Sequence, residues 1–205
     1  MVKRNLWIGV SMAMLLLAGC SDAPKTETAK KPDKTPEPVT GRQAFQMMYP
    51  QARRWAVDAQ PLQLRNIPIA EVKGGKGKSG AWQAIFVSPS QAKARTFTYS
   101  VVEAEGNLHQ GVFGALEEGY TPQSTSTPFE FAAIRVDSDQ AYETAAKKSS
   151  EYMKKNPNTP VSFLLEQTKR YPNVTWRVIW GQSVSASDYS VFVDASTGEL
   201  LGIVH

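Results

Sequence analysis

Several groups of residues carry side chains able to do chemistry. Cys20 is the only cysteine in the 205-residue chain, and it follows Leu17-Ala18-Gly19 at the end of an apolar run. A thiol in that setting can serve as the nucleophile of a lipid transfer, with small residues ahead of it so that a peptidase can close on the backbone. With no second thiol there is no intrachain disulfide, and the core is held by burial alone. The two histidines, His109 and His205, stand at no metal-ligand spacing from Cys, Asp or Glu. A hydrolase built on His109 is one reading, but no Gly-x-Ser-x-Gly nucleophile elbow accompanies it. Glu103/Glu105 and Glu117/Glu118 are paired carboxylates only along the chain and read as solvated acids. Gly77-Lys78-Ser79 imitates the end of a phosphate-binding loop, whose amides and lysine cradle phosphate. That motif needs a glycine five residues earlier, where Val72 stands, and a helix afterwards, where the pattern is that of a strand. The segment therefore reads as a solvated hairpin tip. Trp55, Trp82, Trp176 and Trp180 could line a ligand cleft, but their places on apolar faces read as core. No residue is assigned to catalysis, to a cofactor or to a metal, and the chain reads as not an enzyme.

The segments around these residues define the organisation. Lys3 and Arg4 precede a nearly continuous apolar run over residues 6–17, shorter than the roughly 20 residues needed to span a bilayer. Residues 1–19 thus read as a targeting segment that is removed. Taking Lys3 and Arg4 from the 23 basic residues leaves 21 against 19 acidic ones. So slight a positive excess gives no support to nucleic-acid binding. Residues 20–40 contain Pro24, Pro32, Pro36 and Pro38 with balanced charge and almost no large apolar side chain, the composition of a disordered tether.

The folded part reads as two units, residues 41–128 with a connection and residues 129–205. Thr40 and Gln43 have capping-box spacing, and Phe45, Met48, Ala52, Trp55 and Ala59 form one helical stripe that Pro50 either kinks or divides. Extended structure follows from Leu62. Trp82, Ala84 and Phe86 alternate on one strand, Phe97, Tyr99 and Val101 on the next, and residues 108–113 on a third. Residues 114–128 read as a connection and residues 129–136 as a strand. Asp137-Ser138-Asp139 starts a second helix, with Tyr142, Ala145, Ala146, Ser149, Tyr152 and Met153 on one face and Asn156-Pro157 at its end. Three strands complete the pattern: residues 161–166, a strand with Val174, Trp176, Val178 and Trp180 on one face, and one with Tyr189, Val191 and Val193. Asp194 and Gly198 then build a tight turn, the carboxylate taking backbone N–H groups and the glycine supplying positive φ.

At one constant offset, residues 97–108 fall on residues 189–200, alternation and turn glycine together. Trp82 falls on Trp176 at an offset two residues longer. A helix precedes each copy, which suggests one small unit used twice.

Leu17-Ala18-Gly19-Cys20 resembles the lipobox of bacterial lipoproteins. The resemblance implies diacylglycerol attachment at Cys20, cleavage before it and acylation of the new N-terminus. Ser21, where an aspartate resembles an inner-membrane retention signal, favours the outer membrane. The second copy, closing on Tyr-x-Val-x-Val-Asp-Ala-x-Thr-Gly-Glu-Leu over residues 189–200, resembles a PepSY domain, a helix-on-antiparallel-sheet module similar to cystatins. The implied fold is α+β, with two tandem PepSY/cystatin-like units. The implied function is a non-catalytic, membrane-anchored envelope lipoprotein, facing the periplasm, that binds a protein or peptide, restraining a peptidase or assisting an envelope assembly. The alternative is a carrier or sensor with a small apolar or lipidic ligand between helix and sheet. Neither reading calls for a cofactor or nucleic acid.

Overall fold

The computed structural model describes residues 35–122 and 125–205. The targeting segment, Cys20 and most of the tether lie outside the described residues. Within Thr35–His205 the chain forms one compact unit, an α+β fold of three α-helices on a large antiparallel sheet. Among the described residues no helix is long and apolar enough to cross a membrane.

Val39 and Thr40, expected in the tether, form the short strand β1. Helix α1 (Gly41–Trp55) starts with the expected capping box: Gln43 N donates to Thr40 Oγ1 at 3.3 Å and Thr40 N donates to Gln43 Oε1 at 3.0 Å. Pro50 lies inside this single helix. Ala44, Phe45, Met48 and Ala52 are fully buried, as the stripe requires. Strand β2 (Gln60–Ile67), the two-residue β3 (Lys78–Ser79), β4 (Ala81–Ser88), β5 (Lys93–Ser100) and β6 (Gly111–Gly119) follow. After them come β7 (Ser126–Thr127), a 3₁₀ turn at Phe131–Ala133, α2 (Ser138–Lys148), α3 (Ser150–Lys155), β8 (Val161–Thr168), β9 (Thr175–Gly181), β10 (Ser187–Asp194) and β11 (Leu200–Val204).

The sheet order is β11-β10-β9-β8-β2-β4-β5-β6, with β7 added on β8. At its centre β2 pairs with β8 through Gln63↔Glu166, Leu64↔Leu165 and Arg65↔Leu164, so hydrogen bonding runs unbroken from one edge to the other. The helices share one face. There Leu64, Trp82, Ala84, Phe86, Leu165, Trp176, Val178, Val191 and Val193 are fully buried. Phe45 of α1 packs on Phe86 at 5.2 Å and on Phe131 at 5.1 Å, and Tyr152 of α3 stacks on Tyr189 at 4.5 Å. The opposite face carries no helix.

The expected strand at residues 129–136 is instead the 3₁₀ turn, because Phe131 turns inward to stack on α1. Residues 114–119, expected in a connection, extend β6 along β5, where Lys93 pairs with Gly119. The second helix breaks at Ser149, whose hydroxyl donates to Ala145 O at 2.8 Å and whose N–H is shared between Ala145 O and Ala146 O. The glycine-rich segment is also more tightly held than a solvated tip. The carbonyl of Gly77 accepts from the buried Ser138 Oγ, and a Cβ on Gly77 would lie 2.3 Å from Asp139 Cα, so only glycine permits that approach.

Sheet register also corrects the sequence match. Ala84 pairs with Phe97 and Val178 with Val191, so Phe97 corresponds to Val191 and not to Tyr189. This agrees with the longer Trp82–Trp176 offset. A slip of two residues keeps every side chain on its own face, which is why alternation alone does not reveal it.

Candidate functional site

A cavity of about 450 Å³ lies on the helix-free face, within the range of about 300–1,000 Å³ that small-ligand sites occupy. Three neighbouring strands and one turn build it. Glu166 and Thr168 come from the end of β8, Lys169, Arg170 and Tyr171 from the turn, Thr175 and Arg177 from β9, and Phe192 from β10. The turn is closed by Thr168 N donating to Tyr171 O at 3.0 Å and Tyr171 N donating to Thr168 Oγ1 at 3.1 Å. Register then sets the floor: Arg177 is directly opposite Phe192, which is opposite Gly202.

Tyr171 stacks on Phe192 with ring centres 4.7 Å apart. The Arg170 guanidinium lies 5.3 Å from the Tyr171 ring and 6.0 Å from Phe192, and that of Arg177 lies 5.6 Å from Phe192. Gly202 makes room for this arrangement, since a Cβ there would come within 2.9 Å of Tyr171 Oη. Arg177 Nε donates to Ser190 Oγ at 3.1 Å and Nη2 to Ser187 Oγ at 2.9 Å. Both partners are neutral. Burial pulls its guanidinium below the usual arginine range, with the charge of Glu166 opposing the effect. One oxygen of Glu166 is engaged: Oε2 accepts from Gln63 Nε2 at 2.9 Å and from Ser126 Oγ at 2.6 Å. The cavity thus offers three cations, one carboxylate, two stacked aromatic rings and the threonines Thr125, Thr168 and Thr175. It can hold an anionic group against an apolar surface.

None of the side chains singled out from sequence lines this cavity. Trp82, Trp176 and Trp180 fill the space between helices and sheet, where an apolar ligand had been the alternative expectation. The indoles of Trp82 and Trp176 meet edge-on at 6.4 Å and donate to Val39 O and Val136 O respectively. Trp55 is partly exposed and donates to Glu117 Oε1 at 2.8 Å. His109 lies in the exposed β5–β6 loop, its Nδ1 2.6 Å from Glu103 Oε1 and its ring 4.6 Å from Phe113. The backbone N–H of Gln110, then His109, holds the Glu103 carboxyl below the usual range. Among the described residues no hydroxyl is hydrogen-bonded to His109, so a nucleophile–base pair is not formed there. His205 packs edge-on to Tyr189 at 4.8 Å. Asp194 behaves as expected: burial would raise its pKa, but bonds from Asn173, Ser196 and Thr197 outweigh burial and lower it. Gly198 has φ +79°.

One sequence signal did point to the cavity. Phe192 is a large aromatic out of phase with Tyr189, Val191 and Val193, on the strand face where solvent-facing residues are expected.

An antiparallel sheet with helices on one face and a cationic, aromatic cavity on the other defines a class of architecture, not an activity. No protein-family model matches the chain, and no curated protein does. The fold is similar to the crystal structure of a provisionally assigned lipoprotein from Clostridium difficile, at 12% identity and a TM-score of 0.52 over 84% of this chain and 95% of that one. Identity so low shows a shared fold alone.

Proposed function

We propose that the protein is a lipid-anchored bacterial envelope protein that binds a protein or peptide partner without catalysing a reaction. Cys20 carries the anchor and begins the tether read over residues 20–40, and the periplasm-facing folded part is two PepSY/cystatin-like units fused through β2 and β8. The outer membrane is the favoured location because serine, not aspartate, follows Cys20.

The observation that carries the binding reading is the cavity on the helix-free face, where the hydrogen bonds of Arg177 go only to neutral serines. The two-unit reading is supported by matching details. Each half begins with a capping box, Thr40 with Gln43 and Asp137 with Gln140. In each, an indole from a hairpin strand donates to the carbonyl of the residue just before that cap. The anchor rests on the lipobox pattern together with the likeness to a provisionally assigned lipoprotein.

Detergent phase separation tests the anchor. Acyl chains contribute about 0.8 kcal/mol per buried CH₂, so two or more hold a protein firmly to a membrane. The wild-type protein is expected in the detergent-rich phase, and Cys20→Ala in the aqueous phase. Unchanged partitioning of the variant would refute lipidation.

A further inference from the structure

We propose that the cavity between Tyr171, Arg177 and Phe192 is a receptor for an extended peptide segment bearing a carboxylate beside an apolar side chain. Arg177 is the counter-cation and the Tyr171–Phe192 pair the apolar wall. The inference rests on the peptide-binding reading above and names its ligand.

A partly buried guanidinium ordinarily has a carboxylate partner, because desolvating a cation costs more than neutral hydrogen bonds return. The hydrogen bonds of Arg177 go only to Ser187 and Ser190, and Glu166 acts on its charge without forming an ion pair with it. The ion pairs among the described residues are Lys93–Glu117, Glu103–His109 and Glu151–Lys154, none of them at the cavity. A ligand carboxylate supplies the missing partner. Glu166, held by Gln63 and Ser126, lies on the same floor and disfavours a polyanion such as a nucleotide. A single carboxylate fits that balance.

The hairpin of β4 and β5 has the same register as that of β9 and β10, and there Gln83 pairs with Thr98 where Arg177 pairs with Phe192. Gln83 and Thr98 also line a cavity, of about 490 Å³, on the helix-free face. The fold therefore forms a hollow at both places and tolerates neutral polar residues at this register. A cation and an aromatic ring at 177 and 192 are not required by the architecture, and they are what recognition of a carboxylate with an apolar neighbour needs. A bare phosphate has no use for the stacked rings. A peptide uses them through an apolar side chain.

Calorimetric titration of the full chain in detergent micelles with acetyl-Val-Glu-Phe-amide and acetyl-Val-Gln-Phe-amide tests this. The Glu peptide is expected to bind about tenfold or more tightly than the Gln peptide, the discrimination of one charge-assisted hydrogen-bonded pair. Arg177→Gln should abolish the preference. Raising salt from about 50 to about 300 mM should weaken the Glu peptide selectively. Gly202→Val, which crowds Tyr171, should weaken both peptides. Arg170→Gln, a change in an exposed turn, should reduce the preference without unfolding, so the idea stays testable if Arg177→Gln does not fold. Equal affinities for the two peptides, or a preference that survives in Arg177→Gln, would overturn the proposal. So would inorganic phosphate or phosphatidylglycerol vesicles displacing the Glu peptide at equal concentration of anion. If neither peptide binds while cross-linking from position 192 still captures a partner, the ligand chemistry is wrong and partner binding stands.

Discussion

Trp176→Ala is expected to destabilise the folded unit by about 3–5 kcal/mol, the usual cost of removing a large buried ring. Trp176 is fully buried, lies edge-on to Trp82 at 6.4 Å, and donates to the carbonyl of Val136 at 2.9 Å. The substitution therefore opens a cavity where the two halves of the sheet meet and leaves a carbonyl without its donor. The helix above does not collapse easily into the gap, because Gly41 at its start already sits against both indoles. A Cβ at position 41 would come 2.6 Å from Trp176 Cη2 and 3.1 Å from Trp82. Trp176→Phe keeps the ring contact and loses the hydrogen bond, so about 1–2 kcal/mol is expected. Because the indoles touch, Trp82→Ala and Trp176→Ala together should cost less than the sum of the single changes. Urea denaturation of the three variants measures this. An additive double mutant would mean that the halves are energetically independent.

The second large effect is expected at Asp137. Its carboxylate accepts from Ser138 N at 2.6 Å, from Thr40 Oγ1 at 2.5 Å and from Arg42 N at 2.9 Å. One side chain thus caps α2 and also ties down the first turn of α1. The bond from Gly41 N to Ser138 Oγ, 2.8 Å long, lies beside it. Asp137→Ala removes a cap and leaves partly buried donors unpaired, for an expected loss of about 2–4 kcal/mol. Asp137→Asn keeps one acceptor oxygen and should lose about half as much. At about 2–4 °C per kcal/mol for a unit of this size, thermal melting separates the two. Equal melting of Asp137→Ala and wild type would show that the paired helix starts contribute nothing.

These two sites mark what the sequence made legible. Local signals read directly: the Thr40–Gln43 box, the Asp137 cap, the alternation of Trp82, Ala84 and Phe86, and the Asp194–Gly198 turn depend on neighbours within a few residues. What failed was non-local. The joining of β2 to β8 through Leu64 and Leu165 leaves no trace in either segment, because both strands are simply apolar on the helix face. The strand expected at residues 129–136 was decided by a tertiary partner, α1, on which Phe131 stacks. The cavity was hidden for the same reason. Arg177 reads as a solvated residue between Trp176 and Val178 until register sets it against Phe192 and the turn stacks Tyr171 on that ring.

Partners are expected to meet the protein on its helix-free face, at Arg177 and Phe192. Site-specific photo-cross-linking in intact cells tests it most directly, with a photoreactive residue at position 192, at position 83 on the same face, or at position 147 on the outer face of α2. A discrete cross-linked species is expected from position 192 that Arg177→Gln removes, and none from position 147. The same species from position 147, or one from position 192 that persists undiminished in Arg177→Gln, would contradict it.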